Sequence, residues 1–133
     1  MPEIAGIGHV TLTVSDVKRS AEFYNRLLDT QTVLDVEDEF GPFVAVASPV
    51  MVIGFRTHEA TNPSDAFDPS RVGLDHLAFH VADRAAIEAW ESRLDEQEIG
   101  HSGVFEDPAG GIHLNFKDPD TIALEFYLPA PQG

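Results

Sequence analysis

The chain repeats itself, and an internal repeat constrains the fold more than any other feature of a sequence. Gly8-His9-Val10-Thr11-Leu12-Thr13-Val14-Ser15-Asp16 aligns with Asp75-His76-Leu77-Ala78-Phe79-His80-Val81-Ala82-Asp83 at a constant offset, which also brings Arg26-Leu27 onto Arg93-Leu94. Each copy has the same order of signals: an alternating strand, an aspartate that can cap a helix, and a helical apolar stripe. In the first copy Val10, Leu12 and Val14 share one face, with His9, Thr11 and Thr13 on the other. In the second, Leu77, Phe79 and Val81 oppose His76, Ala78 and His80. The polar faces carry histidine and threonine but neither lysine nor glutamate, which suits a cavity wall better than open surface.

Ser15 or Asp16 caps the first helix and Asp83 the second. Their stripes are Ala21, Tyr24, Leu27 and Leu28, and Ala86, Ile87, Trp90 and Leu94. Three further strands are expected in each half, near Thr32–Glu37, Phe43–Ala47 and Val50–Arg56, then His101–Phe105, Ile112–Phe116 and Thr121–Leu128. Turn residues separate them: Gly41-Pro42, Ser48-Pro49, Asp107-Pro108-Ala109-Gly110-Gly111 and Asp118-Pro119-Asp120. The segment Thr57–Gly73, rich in Pro, Asp, Ser and Asn, reads as a surface linker. The fold class is therefore α+β. Two βαβββ modules, residues 6–57 and 74–128 joined by linker 58–73, form a single domain whose eight strands make a half-open barrel around a cleft. One such module alone would leave a sheet face uncovered.

The repeat also directs attention to particular side chains. His9 and His76 begin equivalent strands. In the last strand Ile122, Leu124, Phe126 and Leu128 are one face, so Glu125 shares the other with Ala123 and Tyr127. A glutamate within an apolar strand is costly unless it is paired or bound to metal. Two imidazoles and one carboxylate suit Fe(II), Mn, Ni, Zn or Co, so one divalent ion held by His9, His76 and Glu125 is expected. His80, His113 and Tyr127 are the candidate catalytic groups, because histidine exchanges protons near neutral pH and tyrosine can orient an oxyanion. Thr11, Phe55 and Asn115 are expected to line the substrate pocket, with Phe40 and Phe43 as further aromatic lining, and core or dimer packing is the alternative for the three phenylalanines. His58 and His101 are assigned no role.

Composition removes several alternatives. With 23 Asp and Glu against 8 Lys and Arg, the formal net charge is −15, so phosphate backbones and anionic membranes are poor partners. The absence of cysteine excludes thiolate ligands, thiol nucleophiles and disulfides. No apolar run is long enough to cross a bilayer, and the start of the chain lacks a signal-peptide pattern, so a cytoplasmic location is expected.

Several stretches together resemble the vicinal oxygen chelate superfamily, which includes glyoxalase I, extradiol dioxygenases and the fosfomycin and bleomycin resistance proteins. They are Gly8-His9-Val10-Thr11-Leu12, Ser20-Ala21-Glu22-Phe23-Tyr24 leading to Leu27-Leu28, Leu74-Asp75-His76-Leu77-Ala78-Phe79, and Phe116-Lys117-Asp118-Pro119-Asp120 ahead of Leu124-Glu125-Phe126. The resemblance covers residues 6 to 128. It implies paired βαβββ modules, a divalent metal in the cleft, a homodimer, and metal positions matching His9, His76 and Glu125. It further implies an enzyme in which the metal chelates two neighbouring oxygens of a small substrate, with glyoxalase-like lyase or isomerase chemistry or dioxygenase-type chemistry. The alternative is a non-catalytic protein that sequesters a drug or metabolite, as bleomycin resistance proteins do. A fosfomycin-type transferase ranks lower, since its anionic substrate calls for a cationic pocket. Glyoxalase I has a fourth ligand at the position where this chain carries Gly54, a departure that weakens that particular assignment. A second departure is Thr121, where the family pattern has glycine after Asp-Pro-Asp.

Overall fold

The computed structural model describes residues 1–132. The chain divides into two compact units, the first ending at Asp65 and the second beginning at Ala66, within the segment read as a linker. The two units have the same plan and are here called modules 1 and 2.

Module 1 contains β1 (Val10–Thr13), α1 (Val17–Leu28), β2 (Gln31–Asp38), β3 (Gly41–Ser48) and β4 (Met51–Arg56). Its sheet has the order β1-β4-β3-β2, with β1 parallel to β4 and the other pairs antiparallel. Module 2 contains β5 (Leu77–His80), α2 (Arg84–Glu96), β6 (Phe105–Glu106), β7 (Ile112–Lys117) and β8 (Ala123–Leu128), in the equivalent order β5-β8-β7-β6. The architecture is α+β, with eight strands among the described residues in two four-stranded sheets. No helix among the described residues is long and apolar enough to cross a membrane.

The helices begin where the aspartates allow. Asp16 Oδ1 accepts from the backbone N–H groups of Lys18 and Arg19, both at 3.1 Å, and Asp83 Oδ1 accepts from Ala86 N–H at 2.8 Å. Caps of this kind satisfy amide groups that have no partner within the helix. The apolar stripes then set the packing. In module 1 Tyr24 and Leu27 are fully buried, and the Tyr24 ring lies 4.8 Å from that of Phe55. In module 2 Ile87 and Leu94 are fully buried, and Trp90 stacks on Phe126 at 4.4 Å with the rings 13° apart. Burying side chains of this size is worth about 1.5–3 kcal/mol each relative to exposure, which fixes one face of each sheet under its helix.

The opposite face of each sheet remains open to function. In β7 the alternation is regular: Ile112, Leu114 and Phe116 are buried, whereas Asn115 and Lys117 are exposed and His113 is half-buried. The β7–β8 register sets His113 against Tyr127, Asn115 against Glu125 and Lys117 against Ala123. The β5–β8 register adds Ala78 against Glu125 and His80 against Tyr127.

Three expectations are corrected. The strand expected over His101–Phe105 is reduced to Phe105–Glu106, with His101 joined to Phe116 only by an isolated bridge. Gly103, at φ 76°, interrupts the extended backbone between them. The last strand begins at Ala123, because Thr121 adopts φ 64° in the turn after Asp118. Phe55, expected in the pocket lining, is instead a core residue. It pairs with Leu12 and Val44 on the helix side of the module 1 sheet and is fully buried in the core against Tyr24.

Candidate functional site

Glu125 is the organising residue of module 2. Strand pairing puts it in the middle of the open face, yet its side chain retains only 7% of its exposure. Oε2 lies 3.1 Å from His76 Nε2, and Oε1 meets Nδ1 of His113. His113 Nε2 lies 2.6 Å from Asp107 Oδ2, and His76 Nδ1 lies 2.7 Å from Asp75 Oδ1. The result is a continuous alternation of acid and imidazole: Asp107, His113, Glu125, His76, Asp75.

The electrostatics follow from this order. Burial alone would lower the pKa of His113, but the hydrogen bonds and charges of Asp107 and Glu125 outweigh it and raise the imidazole above its ordinary value. The same contact holds Asp107 below the usual carboxylate range, helped by the Gly111 and Ala109 N–H groups. Both edges of the His76 ring face carboxylate oxygens, Asp75 at Nδ1 and Glu125 at Nε2. A single imidazole N–H can serve only one of these two carboxylates, and a cation between Nε2 and Oε2 would satisfy the other contact. Imidazole nitrogen and carboxylate oxygen are also suitable donors for first-row divalent metals, and an acid on the far nitrogen is the usual way to orient a histidine ligand. His76 and Glu125 therefore fit a metal as two donors. Among the described residues, no group of three or more His, Cys, Asp and Glu side chains is arranged to hold a metal ion.

A cavity of about 1030 Å³ opens on this face of module 2. Glu125, His76, His113 and Asn115 line it together with apolar surface from Ile99 and Phe105. Two expected groups stand outside this lining: His80, which is exposed at the end of β5, and Tyr127, whose ring is 5.1 Å from that of His113. In module 1, His9 is exposed just ahead of β1, and Thr11 is exposed on the face away from α1. Thr11 pairs with Gly54 as Ala78 pairs with Glu125, so Gly54 occupies the module 1 counterpart of the Glu125 position. A Cβ at Gly54 would come within 2.8 Å of Phe43 Cζ and of Thr11 Oγ1. Phe43 in turn carries the Arg56 guanidinium 4.8 Å from its ring. The counterpart position is thus filled by neighbours.

Asp107 was not anticipated as part of the site, because its sequence context marks it only as a turn residue. The available signal was its place at the head of Asp-Pro-Ala-Gly-Gly immediately before a strand that carries an inward histidine.

Two modules of identical plan, with an acid on the last strand of the second and a histidine opening its first, match one family over residues 6–126: Glyoxalase/Bleomycin resistance protein/Dioxygenase. The chain belongs to this superfamily. A solved glyoxalase/bleomycin resistance protein/dioxygenase domain from Frankia sp. EAN1pec is 33% identical, with a TM-score of 0.85, and the match covers 95% of this chain and 98% of that one. Catechol-2,3-dioxygenase of Bacillus subtilis (strain 168) is 32% identical over 131 residues, covering 96% of this chain and 42% of the dioxygenase. Lactoylglutathione lyase of Pseudomonas aeruginosa is 28% identical over 115 residues, covering 86% of this chain and 58% of the lyase. The chain thus spans roughly half the length of these two curated relatives. Superfamily membership accounts for the duplicated fold, while the relatives' different names leave the reaction to be read from the site.

Proposed function

We propose that this chain is a divalent-metal-dependent member of the superfamily that acts on a small substrate presenting two adjacent oxygens. The observation that carries this reading is Glu125: a carboxylate nearly removed from water, on a strand face, with an imidazole at each oxygen. His76 and Glu125 would hold the metal from module 2, and His9, the repeat counterpart of His76, would be the third donor. When bound, the metal would supply Lewis-acid stabilisation of negative charge developing on the substrate oxygens.

The protein's own groups do the rest. Phe105 and Ile99 give the substrate an apolar bed and exclude water from the acid. Asn115, opposite Glu125, offers an amide to orient a substrate oxygen. His113, between Asp107 and Glu125, can hold or deliver a proton at Nδ1. Tyr127 backs the His113 ring, and His80 lies beside Tyr127 on the same face, where it can exchange protons with the solvent. The homodimer implied by the family resemblance belongs to this reading and is checked by light scattering.

Metal content tests the proposal. Elemental analysis after dialysis should find about one divalent ion per chain, lost in Glu125→Ala and in His9→Ala. A folded, metal-free preparation that takes up no added Mn, Fe, Ni or Zn would overturn it and leave ligand sequestration by the apolar cavity as the better account.

A further inference from the structure

The alternation of acids and imidazoles has one member outside the candidate ligands that is held more firmly than its exposure requires. Asp107 closes a turn directly after β6: its N–H donates to Gly111 O at 2.8 Å, and its carbonyl accepts from Gly110 N–H at 3.0 Å. Its side-chain Oδ1 accepts from Ala109 N–H at 2.8 Å and Gly111 N–H at 3.1 Å. These two backbone donors fix the carboxylate plane and leave Oδ2 for His113 Nε2 at 2.6 Å. The turn is built around that carboxylate. A Cβ at Gly111 would lie 2.6 Å from Oδ2 and 3.3 Å from both Cγ and the Tyr127 ring.

The imidazole that Asp107 grips is restrained on its faces as well. Phe105 stacks on it at 5.1 Å with the rings 15° apart, and Tyr127 leans on it at 5.1 Å and 44°. With Nε2 tied to Asp107 and the faces covered, only the Nδ1 edge is left to meet Glu125 Oε1. A carboxylate held at one oxygen can still rotate about that contact, but here the other oxygen reaches His76 Nε2 at 3.1 Å.

We propose that Asp107 is the positioning residue of this site: through His113 it holds one oxygen of Glu125, so that the other is aimed at His76 and at a shared cation. The second half of this inference rests on reading Glu125 as a metal ligand, whereas the clamp on His113 does not. Groups standing behind metal ligands commonly affect affinity by about 10–100-fold although they never touch the metal.

The test uses the full chain and three variants. Asp107→Ala removes the grip, Gly111→Ala crowds the carboxylate while retaining every polar group, and Asp107→Asn keeps an acceptor at Oδ1 or Oδ2. Circular dichroism establishes folding, nitrogen-15 resonances of the His113 ring report its hydrogen bonding, and calorimetry with Mn²⁺ and Ni²⁺ reports affinity. The expected result is that Asp107→Ala and Gly111→Ala fold, shift the His113 ring resonances and bind either ion about 10–100-fold more weakly, with Asp107→Asn recovering much of the loss. If Asp107→Ala does not fold, Gly111→Ala decides. Unmoved His113 resonances, or affinities within about threefold of the parent, would overturn the inference. If the parent chain binds neither ion, the metal reading fails by itself, and the ring resonances still decide whether the clamp exists.

Discussion

Replacing Gly54 with alanine probes the difference between the two modules most directly. The added methyl would sit 2.8 Å from Phe43 Cζ, 2.9 Å from Phe43 Cε2 and 2.8 Å from Thr11 Oγ1. All three separations are well inside van der Waals contact, so something must move. The Phe43 ring is hindered from swinging away because the Arg56 guanidinium covers it and is itself anchored on Asp38 at 2.7 Å and Gly41 O at 3.1 Å. Overpacking of this kind costs about 1–3 kcal/mol. For a chain of this length each kcal/mol lowers the melting temperature by about 3–5 °C. Urea denaturation should therefore show a lower midpoint at an unchanged slope. Shortening the obstructing ring in Gly54→Ala/Phe43→Leu should restore part of the loss, with a coupling of at least about 0.5 kcal/mol between two residues in contact. A Gly54→Ala protein within about 0.5 kcal/mol of the parent, or strict additivity in the double variant, would refute the steric argument.

Two further outcomes follow from local conformation and charge. Thr121 holds φ 64° in a region that costs a β-branched residue about 1–2 kcal/mol, and glycine returns part of that gain as unfolded-chain entropy; Thr121→Gly should stabilise by about 0.5–1 kcal/mol, and a destabilised variant in thermal melts would contradict this. The hydrogen bond from Arg56 holds the Asp38 carboxyl below its ordinary value, assisted by the Phe40 N–H. A depressed carboxylate contributes stability that is present above its unfolded pKa and is lost as pH falls through its lower folded value. Asp38→Asn should therefore flatten the decline in stability below about pH 4, and superimposable acid-unfolding curves would exclude the effect.

What could be read from the residues alone was whatever depends on periodicity and caps. Val10, Leu12 and Val14 alternate, Asp16 and Asp83 cap, and the Tyr24 and Trp90 stripes pack as their spacing dictates. The placement of Glu125 on the open face also followed from alternation, because Leu124 and Phe126 on either side are both buried. Strand β6 was overextended, since a run of mixed residues near His101 carries no clear period, and Gly103 breaks it with a left-handed backbone. Aromatic character suits Phe55 to a pocket lining or to the core alike, and its phase decides for the core: Ile53 and Phe55 share the buried side of β4. The contacts that make the site lay beyond sequence reading for another reason. Asn115 faces Glu125 only because of the β7–β8 register, and Asp107 reaches His113 only because a turn folds back on itself. Strand register and turn geometry are set by the assembled sheet rather than by neighbours in the chain.

The single tryptophan of the chain has a practical consequence. Trp90 lies flat on Phe126, the residue next to Glu125, so its emission is an intrinsic optical probe of the strand that carries the acid. With excitation selective for the indole, a fluorescence melt follows the surroundings of Trp90 in module 2, whereas backbone ellipticity records both modules. Superposition of the two curves, or their separation, would show whether the halves of this duplicated chain lose their structure in one step or in two.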